Sequence, residues 1–489
     1  MPKTFQTSQY IKIIYGKNGA ILYHSLFSKP LFISRGVIKI LNYFRHPKNI
    51  YRIKKNKKFS QEASFFSILR ILQKNYFLIP SNLNERKILR KKKCEWLRYI
   101  KSGKTLKRLD LSVSELCNFG CKHCLHAIPL KTVKINPRTP PFFMDWETAK
   151  KAIDNYMVFI KQAGVKETEI YFGDAEPLLN WELVRKIILY CKTNYSSDIN
   201  IHFRIDTNLS LLTEEVAKTL RRYKVQINTS IDGSKKANDA VRITSEGKGT
   251  FDLIMKKCKL LKNINYSLQG FVITITDKNF HLINNSIIEH AKKMGIKTID
   301  MDIDLINPIH QHPNTLANKI FSLHKKADSL GIKTSGTWKM PFLNLINVDP
   351  LKSRKPSGLC TSARGESITV APNGNIFICS HSITCIGSVN KLTKIFSNKG
   401  LFLKLIKSRL IGYSDCINCG LESQCAGQCQ ITREVNSLKT NNKIHQMSIF
   451  YQIITKKLLL ERLEQETKRN NSMLWIKKPL PEYPGILSY

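Results

Sequence analysis

No uninterrupted apolar run in the sequence approaches the roughly 18 residues that a membrane span needs. The first residues, MPKTFQTSQYIKIIYG, carry no apolar stretch ahead of a small-residue cleavage site. Neither a membrane anchor nor a secretory signal is expected, and the default location is the cytoplasm. No internal repeat is found. Acidic residues are scarce: 36 Asp and Glu stand against 79 Lys and Arg, a net charge of +43. Such a surface attracts polyanions, but Lys, Ile and Asn are abundant together, as AT-rich coding also produces, so charge does not choose the substrate. An RNA-binding face should interleave basic and aromatic residues. The chain has only charge runs, at 52–58 and 86–93, so nucleic acid is not the expected partner.

Cysteine is plentiful. Nine of the 13 fall in three tight arrangements. In a reducing compartment, clustered cysteines are metal ligands more often than disulfides. Of the four that stand apart, Cys94, Cys191 and Cys258 read as buried small apolar residues, and Cys385 is left open.

At roughly 100–200 residues per domain, 489 residues suggest about three domains. Residues 1–95 read as a small α+β unit. It has strands at 10–15 and 21–27 around the turn Gly16-Lys17-Asn18-Gly19, and a short strand at 76–79. Val37, Ile40, Leu41 and Phe44, then Phe65, Ile68, Leu69 and Leu72, recur at helical spacing. The run 86–93 reads as a linker with too few apolar residues to pack. Over 105–335 strands and helices alternate, with strands expected at 109–113, 169–172, 199–205, 225–231, 267–274 and 298–303. Six βα units predict a parallel sheet or barrel. Residues 340–360 read as loop. Residues 355–465 are rich in cysteine and turns and end in a helix marked by Met447, Phe450, Ile454 and Leu458. Residues 466–489 form a tail.

The sharpest signal is Cys117-x3-Cys121-x2-Cys124, just past the first barrel strand. Three thiolates on one short loop can hold three irons of a [4Fe–4S] cube. The fourth iron is left open, and an open position is where metal chemistry occurs, whereas a structural zinc takes four protein ligands. This spacing resembles that of the radical SAM superfamily. The resemblance implies a partial (β/α)6 TIM-like barrel in which S-adenosylmethionine (SAM) chelates the open iron. Reductive cleavage of SAM then gives a 5′-deoxyadenosyl radical that abstracts a substrate hydrogen. His123 occupies a usually aromatic position and can stack on adenine. The family's Gly-Gly-Glu-Pro aligns with Asp174-Ala175-Glu176-Pro177. This implies that Glu176 contacts the SAM ammonium and that backbone carbonyls there accept its hydrogen bonds. Alanine does not tolerate φ > 0 as glycine does, so this turn is expected to be strained. Asp174 is either a second carboxylate near the ammonium or a helix cap. Thr207-Asn208-Leu209 stands where many relatives have Thr-Asn-Gly. By resemblance Ser230, in Ser230-Ile231-Asp232-Gly233, meets a ribose hydroxyl, and Arg242 pairs with the SAM carboxylate, a task that suits a guanidinium fork. Gly247-Lys248-Gly249-Thr250-Phe251 also matches.

Cys360-x18-Cys379 and Cys416-x2-Cys419-x5-Cys425-x3-Cys429 resemble the C-terminal SPASM domain of peptide and protein maturases. The resemblance implies one or two auxiliary [4Fe–4S] clusters, with Cys360, Cys379 and Cys429 on the first and Cys416, Cys419 and Cys425 on the second. Two further cysteines of the family pattern are missing. Cys385 is a candidate fourth ligand for the first cluster and His445 for the second, imidazole being a known cluster ligand. A zinc ribbon on Cys416–Cys429 is the rival and leaves Cys360 and Cys379 unexplained. Tyr23-His24-Ser25-Leu26-Phe27 followed by two helices resembles the winged-helix-like domain on which maturases receive a precursor's leader as an added strand. Nearby lysines would favour an acidic leader. The implied function is a radical SAM/SPASM peptide maturase that forms a carbon–carbon or thioether cross-link, with a precursor peptide and an external electron donor such as flavodoxin or ferredoxin as partners. The alternatives are a sulfatase-maturing enzyme, opposed by Ser380 where many of those carry an Asp base, and RNA modification.

Overall fold

Between residues 167 and 303 three of the strands alternate strictly. In Glu167–Phe172 the side chains of Thr168, Ile170 and Phe172 are buried, while Glu169 and Tyr171 face the other way. Asn200–Asp206 and Thr298–Ile303 repeat this, burying Ile201, Phe203 and Ile205, then Ile299, Met301 and Ile303. A period of two puts one side-chain set on each face of a sheet. The apolar set packs on the flanking helices, and the polar set (Glu169, Tyr171, Arg204, Asp206, Asp300, Asp302) lines the opposite face.

The computed structural model describes residues 4–17, 19–27, 29–50, 65–124, 140–305, 307, 309–354, 356–397, 400–411, 416–425, 427–436 and 443–469. The basic run 52–58 and the tail beyond 469 lie outside the described residues. The N-terminal strands are β1 Thr4–Thr7, β2 Ile11–Gly16, β3 Gly19–His24, β4 Leu31–Ile33, β5 Lys48–Asn49 and β6 Leu78–Pro80. They form two three-stranded sheets, ordered β5-β1-β6 and β2-β3-β4. Strands β7 Arg108–Leu111, β8 Glu167–Phe172, β9 Asn200–Asp206, β10 Gln226–Ser230, β11 Gly270–Ile275 and β12 Thr298–Ile303 are the six expected from the sequence, and neighbours pair in parallel. The sheet is larger than expected. β13 Lys333–Ser335 extends it beyond β12. On the other side β14 Ser367–Val370, β15 Asn375–Phe377 and β16 Cys385–Ser388 join through a parallel β14–β7 pairing, which makes ten strands. The cysteine-rich segment is therefore hydrogen-bonded to the same sheet that carries the Cys117 loop.

Three expectations fail. Residues 86–93 are no linker: they lie in the helix Glu85–Lys101. Its basic residues surround one stripe, Leu89, Trp96 and Ile100, which is buried, and Asn84 Oδ1 caps the N-terminus by accepting from Lys87 N–H. Residues 340–360 are not all loop. Met340–Asn347 is a helix with Met340 through Ile346 all buried, so it shows no amphipathic period to read. Cys94 is exposed rather than buried, although Cys191 and Cys258 are buried. The helix Lys443–Arg469 buries Met447, Phe450, Ile454 and Leu458. At its far end a Cβ on Gly16 would lie 2.5 Å from Leu463 Cδ2, so only glycine lets β2 pack this closely. Among the described residues no helix is long and apolar enough to cross a membrane.

Candidate active site and metal centres

The Cys117 loop leaves the C-terminal end of β7 and is pinned on two sides. Gly120 N–H donates to Ile243 O (2.8 Å) and Lys122 N–H to Val241 O (2.9 Å), which ties the loop to the segment bearing Arg242. Glu176 N–H donates to Leu116 O (3.1 Å), which ties it to the turn after β8. Phe119 N–H and Asn208 Nδ2 both point at Cys117 Sγ, at 3.4 and 3.7 Å. Burial pushes the Cys117 thiol up to about 12, with Glu176, Cys121 and Cys124 close enough to add to it. Burial and the neighbouring Cys124 push the Cys121 thiol up as well, and the nearby Arg242 charge counters them. Donors at Cys117 and the Arg242 charge near Cys121 suit iron–thiolate bonding, because the negative charge they favour is the ligating form.

Among the described residues no three His, Cys, Asp or Glu side chains gather as one metal ion requires. Ligands of a single zinc all touch one centre, whereas thiolates on different corners of a cube stand farther apart.

Around the loop stand the other residues singled out from the sequence. Glu176 is wholly buried. Its Oε1 accepts from Thr207 Oγ1 (2.7 Å) and Leu178 N–H (3.0 Å), and Oε2 accepts from Asn208 N–H (2.8 Å). Burial raises its pKa against those three donors. Asn208 Nδ2 also reaches Asn118 Oδ1 at 2.9 Å. Arg242 forks onto buried Asp232, with Nε–Oδ2 at 2.8 Å and Nη2–Oδ1 at 3.1 Å. Thr274 N–H adds a third bond to that carboxylate at 2.7 Å. His123 is buried and its Nδ1 has no hydrogen-bond partner. Burial first, then the nearby Arg242 charge, lowers its pKa to about 4, so the ring is neutral. Ser230 ends β10, half-buried, at the same sheet edge. The helix Phe251–Asn263 starts from Gly249, where a Cβ would meet Asp239 Oδ2 at 2.3 Å. Asp239 Oδ1 instead accepts from Thr250 and Phe251 N–H, at 2.9 Å each.

The turn after β8 is strained as expected, at two residues, and the turn after β9 (Asn200–Asp206) at a third. Asp174 (φ 67°), Ala175 (φ 40°) and Leu209 (φ 63°) all lie in the left-handed region. Each stands where the resemblance puts glycine. A left-handed L-residue costs roughly 1–2 kcal/mol. Ala175→Gly should therefore raise stability by about 1 kcal/mol net of the entropy glycine adds to the unfolded chain, read from the denaturant midpoint. Asp174 caps nothing here: Glu176 is the N-cap of the short helix Pro177–Asn180.

Below this rim, the polar face is a connected array. Arg108 pairs with Asp110 through Nε (2.5 Å) and Nη2 (3.0 Å). The guanidiniums of Arg108 and Arg204 stand 4.7 and 5.3 Å from the Tyr171 ring centroid. Tyr171 OH and Asn228 Nδ2 donate to Asp206 at 2.9 and 3.0 Å. The sequence reading named none of these residues, although charged residues at every second strand position were a visible sign. Burial lifts Asp110 to about 6 despite Arg108. A raised acid pKa means the folded state binds the proton more tightly. The stability this gives is complete below about pH 4 and is lost as pH rises to about 6, a change of roughly 3 kcal/mol. Asp110→Asn should remove that slope in unfolding measured across this range.

At the C-terminal end Cys425 has Cys419 and Cys416 as neighbours, and Cys429 has Cys360. These sulfurs too attract donors: Ala363 N–H reaches Cys360 Sγ (3.4 Å), Leu421 N–H reaches Cys419 Sγ (3.5 Å) and Arg433 Nη2 reaches Cys416 Sγ (3.7 Å). Asn344 Nδ2 clamps both segments, donating to Gly358 O (3.1 Å) and Gln424 O (2.8 Å). Cys379 follows β15 in a bend. Of the two candidate fourth ligands, Cys385 is exposed and its thiol donates to Gly387 O (3.3 Å), and His445 is exposed.

The Radical SAM superfamily model matches residues 111–283. The chain is 25% identical over 434 residues to the radical SAM cyclopropyl synthase TigE of Paramaledivibacter caminithermalis, covering 86% of this chain and 89% of that one. It is 24% identical over 349 residues to a cysteine-type anaerobic sulfatase-maturating enzyme of Clostridium novyi, covering 68% and 90%. The solved structure of native anSMEcpe with bound AdoMet superposes with a TM-score of 0.58 at 16% identity, over 73% of this chain and 99% of that one. That likeness speaks for the fold.

Proposed function

Because this chain belongs to the radical SAM superfamily and is an iron–sulfur enzyme that uses SAM, we propose that it matures a ribosomally made peptide, abstracting a hydrogen and closing a cross-link. The observation that carries this reading is the Cys117–Cys121–Cys124 loop, fastened at once to the Glu176 turn and the Arg242 segment above a polar sheet face. The cluster and SAM together supply a radical able to take an unactivated hydrogen. Cys117, Cys121 and Cys124 would hold that cluster. His123, Asp174, Glu176, Asn208, Ser230 and Arg242 ring the place where SAM would lie. Here Glu176 and Arg242 act chiefly through others: Glu176 fixes Asn208 beside Cys117, and Arg242 holds Asp232 and sets its charge near Cys121.

Three units divide the work in this reading: a winged-helix-like unit at 1–95, a partial barrel at 105–335 and a SPASM unit at 355–465 carrying auxiliary clusters on Cys360, Cys379 and Cys429 and on Cys416, Cys419 and Cys425. The precursor's leader would add a strand to the β2-β3-β4 sheet, where β4 is an edge. A polypeptide substrate is supported by the name of the second relative above, a sulfatase-maturating enzyme. The sulfatase-maturing alternative draws on the same relative and is opposed by Ser380 next to Cys379. The test is anaerobic incubation of reconstituted full-length protein with SAM, reduced flavodoxin and the peptide encoded by a neighbouring short reading frame. The expected product lacks one hydrogen pair. An unmodified peptide beside a sulfatase peptide converted to formylglycine would favour the alternative.

A further inference from the structure

A cleft of about 910 Å³ opens in the N-terminal unit. Its walls come from β1, the turn before β2, the loop after the helix Arg35–Tyr43, and residues 81–90, where β6 gives way to the helix Glu85–Lys101. None of the lining residues belongs to β4, to the Cys117 loop or to the C-terminal cysteine segments. Four of the described lining residues are cations: Arg45, Arg86, Lys87 and Arg90. On the helix Arg90 neighbours both Lys87 and Arg86, because residues three and four apart lie on one face.

Arg86 is spent on Glu422, with Nη1–Oε1 at 2.8 Å and Nη2–Oε2 at 3.1 Å. Arg45, Lys87 and Arg90 are exposed and pair with no described carboxylate. Among the described lining residues the one acid, Glu85, is buried, and its Oε1 already meets Ser8 Oγ at 2.6 Å and His24 Nε2 at 2.7 Å. Like charges on one concave wall focus a positive potential. The lining also carries the amides of Gln6, Gln9 and Asn82, whose side chains bond no other described residue. A primary amide offers both donors and an acceptor, as a peptide main chain requires. The one aromatic ring among the described lining residues, Tyr10, is 6% exposed and has the Arg86 guanidinium 5.2 Å from its centroid. It leaves no open ring face for a nucleic-acid base to stack on.

We infer that this cleft binds an acidic stretch of a polypeptide, with carboxylates on Arg45, Lys87 and Arg90 and main-chain groups on the three amides. In the maturase reading above, on which this rests, that polypeptide is the precursor, and the cleft is a contact separate from the β4 edge. Arg86 ties the same wall to Glu422, between Cys419 and Cys425, so an occupant lies beside the link to those cysteines.

The probe is a fluorescently labelled peptide of alternating Glu and Gly, titrated with full-length reconstituted protein at about 0.1 M salt and read by anisotropy. Arg45→Gln, Lys87→Gln and Arg90→Gln together remove three exposed cations and keep helix propensity. Because the whole chain is basic, the control removes three exposed lysines from outer helices of the barrel, as Lys256→Gln, Lys259→Gln and Lys293→Gln. Three exposed charge pairs at their usual strength multiply to about tenfold, so the cleft variant should bind about tenfold more weakly and the control within about twofold of the parent. Equal losses in both variants, or no loss in the cleft variant, overturn the proposal. Tighter binding of an oligothymidylate of equal charge overturns it as well. With the precursor as substrate, the cleft variant should raise KM by about the same factor. If the parent leaves the precursor unmodified while the probe behaves as stated, the maturase reading fails and the acidic-peptide cleft stands. If the parent modifies it and the cleft variant shares its KM, the cleft fails and the maturase reading stands.

Discussion

Arg242→Ala should destabilise the protein by about 3–5 kcal/mol, the usual result of removing one partner from a buried ion pair. Asp232 is fully buried, so its charge cannot turn to water when the guanidinium goes. Thr274 N–H alone would remain among its donors from the sheet. The Arg242 charge also acts on Cys121, and Arg242 lies on the segment that receives Gly120 and Lys122 N–H. The Cys117 loop should loosen with it, and SAM cleavage should fall to background. Arg242→Lys should recover part of the stability, because an ammonium keeps the charge but cannot reproduce the two-point fork. Equilibrium unfolding in denaturant gives the first number and 5′-deoxyadenosine release the second. A loss below about 1 kcal/mol, the size of an exposed pair, would mean that Asp232 is not charged in the folded protein.

The second large effect is expected at Glu176. Alanine there would leave Thr207 Oγ1, Leu178 N–H and Asn208 N–H without their acceptor. At roughly 1–3 kcal/mol for an orphaned buried group, with partial relaxation, the total should be about 2–4 kcal/mol. Glutamine keeps one acceptor oxygen but places an amide donor in the same cage, so it should be only slightly better. SAM cleavage should fall in both, because Asn208 would lose its hold beside Cys117. A variant with normal stability and weakened SAM affinity would point instead to direct contact with the cofactor.

The central strands were readable as short runs between helical stretches, and in three of them buried and polar positions alternate without a break, as in Thr298–Ile303, whose limits match the expectation residue for residue. The Cys117 loop was readable because its chemistry is local, three ligands within eight residues. What could not be read depends on distant partners or on the absence of a pattern. β14 is four residues in a turn-rich segment and becomes a strand by pairing with β7, some 260 residues earlier. The helix Glu85–Lys101 shows mostly lysine and arginine, and its core stripe has only three large apolar residues. The left-handed backbone at Leu209 is visible only as a departure from a glycine pattern, since leucine itself gives no sign of it.

The central claim is that Cys117, Cys121 and Cys124 together hold the cluster on which SAM is cleaved. The direct measurement is the rate of 5′-deoxyadenosine formation by oxygen-free, reconstituted and reduced protein, parent against each single Cys→Ala variant. The parent should turn SAM over, and all three variants should be indistinguishable from reductant alone while retaining the iron of the C-terminal cysteines. Parental turnover in any one of them would contradict the account.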